Sequence, residues 1–191
     1  NELLPISGSQ FAIEQIPQLL TTGSVAVPVW GYAEHSYRWQ LAGHQLHWYS
    51  SYQELANLVE TNTVNNAVVI NPNNPSTELF ELAQLQYLLA VLKANNGKLL
   101  VDEAFMDSSD EHSLCRLLDG KPCPDELIIL RSVGKFFGLA GIRLGFVIAS
   151  EVFIQRLEPQ VSPWAVNHIA RWVGQQALAD RDWQQRQRQR L

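Results

Sequence analysis

Six short aliphatic runs, each separated from the next by a longer segment of helical spacing, limit this chain to very few folds. Residues 24–28, 45–48, 67–70, 98–101, 127–130 and 144–148 read as strands. Several are apolar throughout, as strands covered on both faces of a mainly parallel sheet are. Segments 8–20, 32–42, 51–60 and 77–94 carry helical periodicity, the last with Leu79, Leu82, Leu85, Leu89 and Leu92 on one stripe. Pro17 is expected to kink or shorten the first helix. After Ser150 the pattern is helical to the end, through residues 165–179. The alternation predicts an α/β fold: a mainly parallel sheet with helices on both faces, a three-layer sandwich. With 191 residues and no repeat or low-complexity linker, one domain is expected.

In open α/β sheets ligands sit outside the carboxyl ends of the strands. Three polar segments fall at such ends: Asn71-Pro72-Asn73-Asn74-Pro75, Asp102-Glu103, and Ser132 to Lys135. They are expected to converge on one edge of the sheet.

Composition narrows the partners. Hydrophobic content of 46%, charged content of 17% and a formal net charge of −5 describe an ordinary globular chain and give no reason to expect nucleic acid. The arginines between Arg181 and Arg190 alternate with glutamines, the pattern of a solvated helix face. No apolar run reaches membrane-span length, and no basic region leads an apolar stretch at the N-terminus. Cys115 and Cys123 belong to no metal or CxxC spacing and read as reduced thiols of a cytoplasmic protein. His35, His44, His47, His112 and His168 form no ligand cluster and read as structural or surface residues; no metal is expected.

The segment from Arg131 to Arg143 places one lysine, Lys135, in an apolar loop broken by Gly134, Gly138 and Gly141. A lysine held away from water loses its proton more readily, and a neutral amine can form an imine with an aldehyde. Arg143, eight residues on, is suited to an anionic group of the same ligand. A surface lysine between two strands is the plain alternative.

Taken in order, these elements resemble the fold-type I pyridoxal-phosphate enzymes, the aspartate aminotransferase superfamily. The likeness runs through nearly the whole chain: a glycine turn opening a helix, an aromatic-bearing loop, an Asn-Pro segment, Asp-Glu-Ala-aromatic, then Ser-x-x-Lys with its arginine. It implies pyridoxal 5'-phosphate as cofactor. Gly8, Ser9 and Gln10 would offer backbone N–H donors to its phosphate at a helix N-terminus, with Ser132 and Arg143 completing the cup. The same residues would serve as a plain helix cap. Tyr32 would lie over the pyridine ring, core packing being the alternative for it and for Trp30. Asn74 would bond the phenolic oxygen, although Pro75-Ser76-Thr77 lacks the glycine usual in relatives and a simple proline turn would look similar. Asp102 would pair with the pyridine nitrogen, or cap a helix at the strand end, and Lys135 would form the imine. Phe105 stands where a tyrosine is usual, so one hydrogen bond to the cofactor is lost.

Phe105, Leu130-Arg131-Ser132 and Ser162-Pro163-Trp164-Ala165-Val166-Asn167 look most like the threonine-phosphate decarboxylase branch of cobalamin biosynthesis. The histidinol-phosphate aminotransferase branch is closely similar. The resemblance implies a lyase acting on L-threonine O-3-phosphate, with an aminotransferase as the second reading and a non-catalytic domain of the same fold as the third. Both chain ends read as cuts. Residues 1–191 are therefore expected to be the cofactor-binding large domain of a longer homodimeric enzyme, lacking an N-terminal arm and a C-terminal small domain. The 191 residues alone are expected to be inactive.

Overall fold

The computed structural model describes residues 2–191. The chain runs β1 (Leu3–Ile6), α1 (Ser9–Leu19), β2 (Ser24–Pro28), α2 (Glu34–Leu41), β3 (Gln45–Tyr49), α3 (Tyr52–Glu60), β4 (Asn66–Ile70), α4 (Leu82–Ala94) and β5 (Lys98–Asp102). Three short 3-10 turns between Met106 and Leu118 lead to β6 (Leu127–Ser132) and β7 (Gly145–Ala149). The helices α5 (Glu151–Leu157), α6 (His168–Ala179) and α7 (Arg181–Arg190) follow. The seven strands form one sheet in the order β1-β7-β6-β5-β4-β2-β3. All neighbours are parallel except β7, which runs antiparallel to both β1 and β6.

The period of two along each strand builds two cores on opposite faces. Ala67, Val69, Leu99, Val101, Leu127 and Ile129 face α3 and α4, meeting Leu55, Val59, Leu85, Leu88 and Leu92. Val68, Leu100, Ile128, Leu130 and Val147 face the other way, onto Ile13 and Ile16 of α1, Trp39 of α2 and Phe153 and Leu157 of α5. Each such Val, Leu, Ile or Phe side chain, fully buried, contributes about 1.5–3 kcal/mol. The expected three-layer α/β sandwich is therefore present.

Three local expectations are corrected. Residues 3–6 form an edge strand whose alternating burial is carried by only Leu4 and Ile6, too short a pattern to stand out. Helix α4 starts at Leu82 and not at Thr77, because Phe80 N–H donates to Asn71 Oδ1 (2.7 Å) and Glu81 with Gln84 forms a capping box. Leu79 thus lies outside the stripe and Leu88 within it. Helix is also interrupted between α5 and α6, where residues 161–167, with Pro163 among them, carry none. Pro17 sits inside α1, two residues before its end, so its missing N–H falls in the last turn.

A third, smaller cluster stands apart from the sheet. Val133, Phe136, Phe137, Leu144, Val166 and Ala170 pack together, with Ala177 and Trp183 against them. It lies immediately behind the lysine loop.

Candidate active site

Strand register decides what meets at the sheet edge. Ile6 pairs with Gly145, and Gly145 with Ser132. The first residues of α1, the end of β6 and the residues preceding β7 are therefore neighbours. On the parallel side, Ile70 pairs with Asp102 and Asp102 with Leu130, so those strands end level. All ten residues expected to form the site line one cavity of about 380 Å³.

One part of the cavity is built for an anion. Gly8 precedes α1 with φ 84 and provides no side-chain cap, and the first turn of α1 has no acidic residue. The N–H groups of Ser9 and Gln10 and the positive end of the helix dipole are thus presented without competition. A Cβ on Gly8 would lie 2.6 Å from Arg143 Nη2, and one on Gly145 would lie 2.8 Å from Ser9 N. Two glycines thus allow the guanidinium, the helix start and β7 to approach each other. Arg143 is exposed, in the left-handed region at φ 55, and Nη1 donates to Ala140 O (3.3 Å). Ser132 Oγ accepts from Gly134 N–H (3.1 Å).

Another part carries a buried carboxylate. Asp102 is 4% exposed; Oδ1 accepts from Ala104 N–H (3.0 Å) and Oδ2 lies 2.9 Å from His35 Nε2. His35 is 1% exposed, and its Nδ1 has no hydrogen-bond partner among the described residues. A hydrogen bond to a carboxylate makes Nε2 the donor. His35, expected to be structural or at the surface, is buried and hydrogen-bonded to Asp102. Nothing along the chain marks His35 for this contact; the fold alone brings α2 onto β5.

Tyr32 is 53% exposed at the cavity, edge-on to His35 (6.4 Å, 85°), and donates to Gln10 Oε1 (3.0 Å). Gln10 Nε2 in turn donates to Glu34 Oε2 (2.8 Å) and Glu14 Oε1 (3.0 Å), and Arg38 bridges both carboxylates. Hydrogen bonds from Arg38 and Gln10 hold Glu34 below its ordinary pKa. Asn74 reaches the cavity from an exposed loop whose neighbours are tied down. Asn73 Nδ2 donates to Trp30 O (2.7 Å) and Asn71 Nδ2 to Phe80 O (3.1 Å).

Lys135 Nζ stands 5.1 Å from the centroid of the Phe105 ring. The side chain is exposed, which corrects the expectation of an amine held from water by its own loop. The apolar residues of that loop, Val133, Phe136 and Phe137, turn into the third cluster and leave Lys135 on the cavity side.

Behind the site, Glu103 is wholly buried. Its carboxylate accepts from Ser113 Oγ (2.6 Å), Leu114 N–H (2.7 Å) and Arg131 Nη1 (2.9 Å). Arg131 Nη2 also donates to Asp107 Oδ1 (2.6 Å). Burial raises the pKa of both carboxyls against the pull of Arg131. Burial opposes the charge on Arg131 too, but Asp107 and Glu103 outweigh it and keep the guanidinium above its ordinary range.

A helix-start anion cup, a buried carboxylate and a single cavity lysine on this sheet define the class of aminotransferase-fold proteins. The profile of the aminotransferase class I and II family matches residues 1–191, and the chain belongs to that family. It is 43% identical over 189 residues to a threonine-phosphate decarboxylase of Pseudomonas aeruginosa, covering 99% of this chain and 55% of that protein. A histidinol-phosphate aminotransferase of Blochmanniella pennsylvanica is 35% identical over 119 residues, 62% of this chain and 32% of that protein. The solved histidinol-phosphate aminotransferase of Sinorhizobium meliloti, in complex with pyridoxal-5'-phosphate, superposes with TM-score 0.81 at 20% identity, covering 98% of this chain and 52% of that one. The chain spans about half the length of the curated relatives it matches.

Pyridoxal phosphate is characteristic of this family, and the donor set suits it. The Gly8 cradle, which a Cβ would fill, lies beside the Arg143 guanidinium, while the buried Asp102 and the Lys135 amine line the same cavity. Among the described residues no group of three or more His, Cys, Asp or Glu is set to hold a metal, and no helix is long and apolar enough to cross a membrane.

Proposed function

We propose that this chain supplies the cofactor-binding large domain of a pyridoxal-phosphate-dependent L-threonine O-3-phosphate decarboxylase. Its product would be (R)-1-amino-2-propanol O-2-phosphate, for cobalamin biosynthesis, in a cytoplasmic homodimer. The reading is carried by the 43% identity to a threonine-phosphate decarboxylase over 99% of the chain. The cavity supports it: one amine, one buried carboxylate and one anion cup line it together.

When bound, pyridoxal phosphate supplies an electron sink for negative charge at the substrate Cα. The N–H groups of Ser9 and Gln10, with Ser132 and Arg143, would bind the phosphate. Asp102, held by Ala104 N–H and His35, would face the ring nitrogen and keep its proton in place. Tyr32 would cover the ring and Asn74 would donate to its phenolic oxygen. Lys135 would bind the aldehyde and stand ready to pass a proton to Cα as carbon dioxide departs. The proton taken up replaces the carboxylate on Cα, so no keto acid is consumed.

The test is incubation of the whole protein with pyridoxal phosphate and L-threonine O-3-phosphate. Carbon dioxide should be released without any keto acid. Turnover that requires 2-oxoglutarate and keeps the carboxylate would overturn decarboxylation in favour of transamination, the second reading, which the 35% identity to a histidinol-phosphate aminotransferase supports. No visible absorbance band dependent on Lys135 would sink both.

A further inference from the structure

We propose that Trp183 and Arg188 of α7 are positioning residues for the Lys135 amine, acting by pinning together the two chain segments between which that amine lies. The inference rests on reading Lys135 as the reactive amine. Sequence pattern makes α7 a solvated helix of arginine and glutamine, yet Trp183, Gln184 and Arg188 turn inward. Trp183 is half-buried, Gln184 is buried and Arg188 is half-buried.

Each makes a specific contact. Trp183 stacks on Phe137 (5.7 Å, 15°) and meets Phe136 edge-on (5.6 Å, 80°), and these two rings follow Lys135 directly in the chain. Gln184 Nε2 donates to Ala177 O (3.0 Å) and Leu178 O (3.1 Å), fixing α7 on the end of α6. Arg188 reaches two segments at once. Its guanidinium carbon lies 5.5 Å from the Phe136 ring centroid, and Nε donates to Asp107 O (2.8 Å).

Asp107 stands two residues after Phe105, whose ring carries the Lys135 ammonium at 5.1 Å. One arginine therefore joins the segment bearing the lysine to the segment bearing its aromatic platform. A planar guanidinium can stack and donate together, which an ammonium cannot do in the same way. Arg131 holds the Asp107 side chain from the other side (2.6 Å), so the Phe105 segment is anchored and the lysine loop is the part that α7 restrains. Neither main core on the sheet includes α7, so loosening it leaves the sheet intact.

The test reads Lys135 without needing the cofactor. The chain has four lysines, Lys93, Lys98, Lys121 and Lys135, so trace acetylation of the full-length protein followed by mass spectrometry compares Lys135 with three internal references. In Arg188→Ala and in Trp183→Ala, labelling of Lys135 relative to the other three should rise about two- to five-fold, the scale of an exposed cation–π contact. Arg188→Lys should restore it in part, and Trp183→Phe largely. A Lys135 rate that moves no more than its references in both alanine variants overturns the proposal. If either alanine variant unfolds, half-buried Lys98 rises against the exposed Lys93 and Lys121, and the milder Arg188→Gln and Trp183→Leu decide by the same ratio. Absorbance of the wild type with pyridoxal phosphate reports the cofactor reading separately. A missing band would sink that reading while the labelling ratio still judges the placement of Lys135.

Discussion

His35 Nε2 lies 2.9 Å from Asp102 Oδ2, with both side chains almost wholly enclosed. The contact crosses from α2 to the end of β5 and gives the carboxylate its second hydrogen bond, the first coming from Ala104 N–H. His35→Ala should therefore cost about 1–3 kcal/mol, the penalty of leaving a buried polar group unpaired. His35→Asn, which keeps a donor, should recover part of it. Denaturant unfolding checks the loss, and weaker cofactor binding in His35→Ala should accompany it.

Gly8 is required twice, by its φ of 84 and by the Arg143 guanidinium beside it. Gly8→Ala should cost about 1–3 kcal/mol from backbone strain and displace Arg143. Affinity for pyridoxal phosphate, followed by equilibrium dialysis, should fall at least about ten-fold, a loss of about 1.4 kcal/mol. Arg143→Ala should lower that affinity without the strain, so only Gly8→Ala should also lower the unfolding midpoint.

Arg131 is the cation between buried Glu103 and Asp107. Arg131→Met should destabilise the fold by about 3–5 kcal/mol, because it leaves uncompensated buried charge. The two carboxyls, already raised by burial, should then rise further. A carboxyl with a raised native pKa holds its proton longer in the folded state than in the unfolded one. Stability of the variant should therefore fall as pH increases through the carboxylate range. A stability curve flat in pH would contradict this.

Burial, with Glu2 nearby, pushes the Cys123 thiol up from 9.0 to about 12. Between these two values the native state keeps a proton that the unfolded state releases, so stability is lost as pH rises through that window. Cys123→Ala should flatten this part of the curve. Native Cys123 should also resist a thiol reagent at mildly alkaline pH and react at once in denaturant.

Most of the sheet was legible because continuous apolar runs leave few alternatives, and two-sided burial is what they encode. The edge strand β1 escaped because four residues carry too little pattern. The loop before α4 escaped because its structure rests on the Asn71 side chain and not on periodicity. Within the site, Gly8, Asp102, Lys135 and Arg143 were visible as residue types at strand and helix ends. His35 was not, since nothing in its surroundings along the chain distinguishes it from a core histidine.

The chain by itself determined the α/β class, the two-faced burial of its strands and the residue types that surround the cavity, because local periodicity and strand-end position are properties of neighbours in sequence. Only the tertiary structure decided that Ile6, Gly145 and Ser132 stand side by side, that His35 closes on Asp102, and that Lys135 lies exposed over Phe105. It also turned an apparently solvated helix into a brace, by way of Trp183 and Arg188. Those relations join residues far apart along the chain, and register and packing set them, so no local pattern carries them.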